Sequence, residues 1–340
     1  MTQAAASPPL ALSLGDPAGI GAELIAEAWA RREAEALPPF DDAGGAELLR
    51  AAAKSRGIEL PVERVAHAAD AAAVFASALP IVGDIDGEWT PGAPCPEGAA
   101  LALASLEAAT RLATSHAASA LVTGPIAKAR LAQVGFDHPG QTEYVAAACG
   151  VAAQDAVMML AGPQLRTVPL TVHVALADVP RLLTIELIVR RARIVAEALE
   201  RDFGISQPRL AVAGLNPHAG EGGRFGSEEV QVIAPAVAAL RAEGIDASGP
   251  HPADALFTAR ARQHYDAALC MYHDQALIPL KALDFDEGVN VTLGLPVVRT
   301  SPDHGTAFDI AGQNLADPGA MIAAIRMAGE CAARRARHRL

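Results

Sequence analysis

Residues Leu10–Gly21 read LALSLGDPAGIG. The first half is a short, almost unbroken apolar run, as expected of a strand buried on both faces of a parallel sheet. Gly15, Pro17, Gly19 and Gly21 then punctuate the chain, and an apolar pattern of helical period runs from Ile20 toward Arg32. A strand, a glycine turn and a helix in that order form the repeating unit of an α/β fold.

The alternation continues outward from this unit. ALVTG (Ala120–Gly124) predicts a strand that breaks at Pro125, and further strands are predicted over 156–160, 167–176, 209–215, 267–272 and 289–298. Helices are predicted over 46–56, 97–116, 179–202, 227–242 and 317–335. This order argues for α/β with mostly parallel sheets, and 340 residues suffice for two lobes or one large unit. The Pro/Gly/Asp-rich stretch 84–96 fits a surface loop and an inter-lobe connection equally well.

Composition narrows the function classes. Hydrophobic residues make up 51% of the chain and charged residues 19%, enough apolar surface to bury a large core. The net charge of −12, with no basic patch before the last ten residues, opposes binding to nucleic acid or to anionic membranes. Cys95, Cys149, Cys270 and Cys331 are scattered without a C-x-x-C pair, which suits reduced thiols. Met1–Leu14 has no basic residue ahead of its apolar run, and no stretch approaches the roughly 18 apolar residues of a spanning helix. A cytoplasmic protein is expected. Lys54, Lys128 and Lys281 are the chain's only lysines among 27 basic residues, so a lysine inside a motif hints that an ammonium is needed there.

Three histidines stand late in, or just past, predicted strands: His173 in LTVHVAL, His218 after AVAGLN and His273 after AALCMY. The carboxyl ends of strands line the ligand crevice of open α/β sheets, and three neutral imidazoles suit a catalytic divalent ion. Taken singly, each also fits a strand-end histidine bonded to a neighbour. His218 lies in NPHAGEGGRFGSEE, whose glycines allow close backbone approach to a ligand. Asp274 fits two roles, orienting the His273 imidazole or capping a helical turn. Downstream come Lys281, Asn290 and Arg299; a lysine, an amide and a guanidinium together bind carboxylate or phosphate and stabilise an alkoxide or enolate. HPGQTE (His138–Glu143) places Thr142 at a helix start, where it suits an anion site and an ordinary N-cap alike. VTGPIAKA lacks the spacing of a Walker loop, and GDPAGIG does not match G-x-G-x-x-G, so no cofactor-binding residue is assigned. These residues alone support a metal-dependent dehydrogenase and a three-His metal hydrolase equally. A phosphate-binding protein without activity would leave the histidines and the lysine unexplained.

As a set, GDPAGIG, VTGPIAK, GQTE, LNPHAGEGG, MYHDQ, IPLKALDF, GVNVTLGLP and RTSPDHGTA resemble the 4-hydroxythreonine-4-phosphate dehydrogenase family of vitamin B6 biosynthesis, in the family's order and over about residues 10–325. The resemblance implies a two-lobed α/β fold like that of isocitrate and isopropylmalate dehydrogenases, with an interdomain active-site cleft. The lobes are expected at about 1–125 plus 286–340 and 126–285. It implies a homodimer whose active sites draw on both subunits. It further implies NAD- or NADP-dependent oxidation of 4-(phosphooxy)-L-threonine at its C3 hydroxyl, then decarboxylation to 3-amino-2-oxopropyl phosphate. By family match His173, His218 and His273 hold one divalent ion (zinc, magnesium or cobalt), while Gln141, Thr142, Lys281, Asn290 and Arg299 contact substrate. Lys281 is the candidate proton acceptor or relay. The family's usual G-H-T-E is G-Q-T-E here, and an amide at Gln141 hydrogen-bonds but cannot shuttle a proton. A second departure is PPFDDAGGAELL, where a more apolar strand is expected. Relatives that oxidise phosphorylated threonate or aromatic cis-dihydrodiols define the alternative within the family.

Overall fold

The computed structural model describes residues 7–338. The reading of Met1–Leu14 reaches into residues 1–6, which lie outside the described residues. The chain divides into two units, one made of the residues up to Ala153 with Leu295–Ala336, the other of Gln154–Gly294.

In the first unit β1 (Leu10–Ser13) is buried along its whole length, which is why its sequence shows no polar alternation. It pairs in parallel with β2 (Phe40–Asp42) on one side and β5 (Ala120–Thr123) on the other. With β3 (Val62–Val65), β4 (Leu79–Val82) and β12 (Arg299–Pro302) the order is β3-β4-β2-β1-β5-β12, parallel throughout. Gly15 makes the turn after β1 at φ +74°, where a Cβ would stand 2.6 Å from the Pro125 carbonyl oxygen, so only glycine fits. The helix Gly21–Ala30 follows and buries Leu24, Ile25 and Trp29. Ala99, Ala102 and Leu106 of the helix Pro96–Thr114 pack with Leu131 and Phe136. That packing holds residues beyond 125 to the first unit; the boundaries lie at Ala153/Gln154 and Gly294/Leu295, and the sequence reading draws them near 125/126 and 285/286.

The second unit contains β6 (Val157–Ala161), β7 (Arg166–Pro169), β8 (Arg209–Ala213), β9 (Asp246–His251), β10 (Ala267–Cys270) and β11 (Val289–Leu293). Their order is β11-β6-β7-β10-β8-β9. The β7, β10, β8 and β9 pairings are parallel, whereas β6 runs antiparallel to both β7 and β11. Mostly parallel pairing flanked by helices makes the protein α/β, as its alternating sequence requires.

Several elements differ from the sequence expectation, each for a local reason. The strand predicted over 167–176 stops at Pro169, which has no N–H to extend the ladder, so His173 lies beyond the strand at φ +51°. The strand predicted over 289–298 ends at Leu293, because Gly294 turns the chain at φ +81°, and β12 starts only at Arg299. The helix predicted over 179–202 breaks after Leu182 and restarts at Thr184, whose hydroxyl accepts from the Leu187 amide at 3.1 Å. The helix predicted over 227–242 opens with a π turn, Glu229–Ile233, before Ala234–Ala242. Strands β2, β3 and β9 carry no apolar run to be read, β2 even holding two aspartates, and the apolar β4 is interrupted by Pro80. No helix among the described residues is long and apolar enough to cross a membrane.

Candidate active site

In the first unit the carboxyl end of β5, the start of β12 and the N-terminus of the helix Gln141–Ala148 meet around one guanidinium. Arg299, only 3% exposed, donates from Nη2 to Thr123 Oγ1 at 2.7 Å and to Gln141 Oε1 at 3.0 Å, and from Nη1 to Thr142 Oγ1 at 3.4 Å. Gln141 Nε2 in turn donates to the Gly124 carbonyl at 3.0 Å, so both ends of the amide are used. Burial pushes the Arg299 pKa down to about 10, with the Glu143 carboxylate opposing the shift. A cation beside a helix N-terminus and two hydroxyls suits a phosphate or carboxylate. Arg299, Gln141 and Thr142 are thus brought together. Thr123 was not singled out in the sequence, although a hydroxyl closing the ALVTG strand stands where ligand-facing residues of parallel sheets collect.

The second unit carries the histidines. His173 lies in the exposed loop after β7, and His273 opens the helix His273–Asp284; their ring centroids are 5.7 Å apart. Asp274 Oδ1 sits 2.7 Å from His273 Nδ1, which leaves Nε2 as that ring's other coordinating position. His218 follows β8 within a run that stays in the left-handed region: His218 (φ 54°), Ala219 (50°), Gly220 (75°), Glu221 (42°) and Gly222 (68°). Three of those five residues have a Cβ, so the run is strained and needs outside support. The His218 ring lies 6.1 Å from that of Phe225. Among the described residues no group of three or more His, Cys, Asp or Glu side chains is gathered to hold a metal ion. His173 and His273 form a neighbouring pair, a partial fit to a divalent ion.

Asn290 is half-buried on β11, where Nδ2 lies 3.4 Å from Met158 Sδ and Oδ1 is buried with no hydrogen-bond partner. An orphaned buried acceptor is costly unless a ligand donates to it. Lys281 is exposed on the His273–Asp284 helix, eight residues beyond His273, or about 12 Å along the axis at 1.5 Å per residue.

Residues 42–328 match the family model of the pyridoxal phosphate biosynthetic protein PdxA. A 4-hydroxythreonine-4-phosphate dehydrogenase of Erythrobacter litoralis is 66% identical over 328 residues, covering 96% of this chain and 98% of that one. The crystal structure of a 4-hydroxythreonine-4-phosphate dehydrogenase from Klebsiella pneumoniae superposes with a TM-score of 0.85 at 37% identity, over 96% of this chain and 100% of that one. A terephthalate 1,2-cis-dihydrodiol dehydrogenase from Burkholderia xenovorans is more distant, with a TM-score of 0.64 at 32% identity over 95% and 98% of the two chains. With the motifs in order, the strands in place and the likeness spanning nearly the whole length, the chain belongs to the PdxA family of pyridoxal phosphate biosynthetic proteins.

Proposed function

We propose that this protein is an NAD- or NADP-dependent oxidoreductase that oxidises 4-(phosphooxy)-L-threonine to 2-amino-3-oxo-4-(phosphooxy)butanoate, which loses carbon dioxide to give 3-amino-2-oxopropyl phosphate. The observation that carries the reading is the near-full-length likeness to the Erythrobacter litoralis dehydrogenase. The buried Arg299 cluster supports it, because a phosphorylated substrate needs such a subsite.

Arg299, Thr142 and the amides opening the Gln141–Ala148 helix bind the substrate's anionic end. Gln141 fixes the guanidinium from one side while spending its own N–H on Gly124, a positioning role that needs no proton transfer. Asn290 Oδ1 accepts from the substrate, which relieves its unpartnered burial. Lys281 takes the proton of the C3 hydroxyl as hydride leaves that carbon, or relays it to solvent. His173, His218 and His273 would hold a divalent ion (zinc, magnesium or cobalt), which would lower the pKa of the substrate hydroxyl and stabilise charge on the ketone, and a bound nicotinamide would supply the hydride acceptor.

The reading includes a homodimer with active sites built from both subunits. It accounts for Leu176, Phe225, Val230, Ile278 and Phe285 all being exposed in the second unit. Ile278 shares a helix with Lys281, so a subunit covering that helix also shields the lysine from water.

The test is a substrate panel with NAD and with NADP, each compound with and without its phosphate group. Growth of reduced-nicotinamide absorbance with 4-(phosphooxy)-L-threonine, lost on chelation and absent without the phosphate, is the expected result. The likeness to the terephthalate dihydrodiol dehydrogenase supports a second reading, in which an aromatic cis-dihydrodiol is the substrate. Preference for an unphosphorylated diol would replace the first reading with the second, and preference for phosphorylated threonate would keep the anion site and change the substrate.

A further inference from the structure

The three histidine-bearing segments leave their strands where the backbone ladders have ended, at Pro169, Ala213 and Cys270. Buried polar side chains take over from the ladders. Thr171, two residues before His173, donates from Oγ1 to the Met271 carbonyl at 2.8 Å. Met271, two residues before His273, donates its N–H to Gln275 Oε1 at 2.6 Å. Gln275 Nε2 donates to the Gly214 carbonyl at 2.8 Å, four residues before His218. The next two amides, Leu215 and Asn216, donate to Glu229 Oε1 at 2.8 and 2.7 Å, and Asn216 Nδ2 donates to Glu229 Oε2 at 3.0 Å. Thr171, Gln275 and Glu229 are 6%, 8% and 2% exposed.

We propose that Thr171, Gln275 and Glu229 are positioning residues: a buried hydrogen-bonded brace that sets the His173, His273 and His218 segments relative to one another. The inference rests on the reading that these histidines act in one site. Gln275 is the keystone, since its amide joins the end of β10 to the end of β8. It sits beside an apolar cluster that includes Ala213, Cys270, Ala276 and Leu280, where a side chain of the same size without polar atoms would pack as well. A buried amide in such a place is tolerated because both its ends are bonded, and its two partners are the backbones that carry different histidines. Glu229 answers the strain of the left-handed run: three donors converge on one carboxylate at the point where the chain enters it. A Cβ at Gly220 would stand 2.5 Å from Glu229 Oε2, so the loop closes directly over the clamp.

The experiment uses Gln275→Met, which keeps volume and removes both bonds, with Val237→Ala in the same unit as a control for lost stability. Gln275→Met is expected to lower kcat roughly thirtyfold while KM for the phosphorylated substrate stays within about threefold. Val237→Ala, matched in thermal midpoint, is expected to keep kcat within about twofold. Equal kcat losses in the two variants would overturn the proposal. In a His273→Ala background Gln275→Met should cost nothing further, and a full thirtyfold additional loss would again overturn it. Amide exchange at Met271 and Leu215 reports the brace without reference to turnover: about tenfold faster exchange in Gln275→Met is expected, and unchanged exchange rejects the brace. If His273→Ala alone keeps wild-type turnover while exchange accelerates as expected, the functional reading of the histidines fails and the brace as a structural link stands. Thr171→Val removes one hydroxyl and should give the same kcat-selected loss at smaller size, which keeps the test open should Gln275→Met not fold.

Discussion

Arg299 concentrates the recognition chemistry in one side chain. Its guanidinium reaches Thr123, Gln141 and Thr142 at once, which the single ammonium of lysine cannot reproduce. Arg299→Lys is therefore expected to raise KM for the phosphorylated substrate by roughly thirtyfold or more, with kcat within about threefold, and to weaken inhibition by inorganic phosphate in parallel. Initial-rate kinetics check this, and a rise confined to kcat would contradict it. Burial has lowered the Arg299 pKa to about 10, so its charge is lost as pH rises through that value and substrate affinity should fall above it. In Arg299→Met no such alkaline fall in affinity should remain.

At the scale of elements, β2 is the anomaly. Asp41 and Asp42 are fully buried, and both carboxyl oxygens of each lack a hydrogen-bond partner. Burial pushes Asp41 up to about 8 and Asp42 well above the carboxylate range, with Asp41 adding to the second shift. The Ala43 amide opposes the shift at Asp42 but donates its own hydrogen bond to Leu12. Both groups are neutral in the folded strand and ionised in the unfolded chain at neutral pH. The folded state then binds more protons than the unfolded state, so stability is full below about pH 4 for this pair and falls as pH rises toward 8. Asp41→Val is expected to flatten part of that slope and to raise the thermal midpoint at pH 8 by about 5 °C or more. Unfolding scans at pH 5 and pH 8 decide it: equal slopes in variant and wild type would show that Asp41 is already ionised in the native strand.

For the whole molecule, the proposed two-subunit site makes a prediction that no single chain can meet. A His273→Ala chain and an Arg299→Met chain, each strongly impaired alone, should regain part of the activity when mixed into verified heterodimers, if the two residues serve one site from different subunits. No recovery in verified heterodimers would place both residues of a site in the same chain. Ile278→Asp with Phe285→Asp puts charge on two of the exposed apolar residues and should move sedimentation toward the monomer while activity falls with it.

The alternation of apolar runs, glycine turns and helical patterns determined the α/β class from the sequence alone, because period and turn chemistry are local properties. The ordered motifs likewise determined the family, since their residue types and sequence order survive without coordinates. Where strands end was less legible: Pro169 and Gly294 act by removing a donor and by turning the backbone, and the flanking residues still read as strand. β2 was illegible because its two aspartates contradict the burial that its neighbours impose. Only the tertiary structure decided that Arg299 meets Gln141 and Thr142 across more than 150 residues of chain, and that Thr123 joins them. The same holds for Thr171, Gln275 and Glu229. As letters they are an ordinary threonine, glutamine and glutamate; what they do follows from which backbone amides and carbonyls the fold leaves unpaired beside them, and a linear sequence carries no record of that pairing.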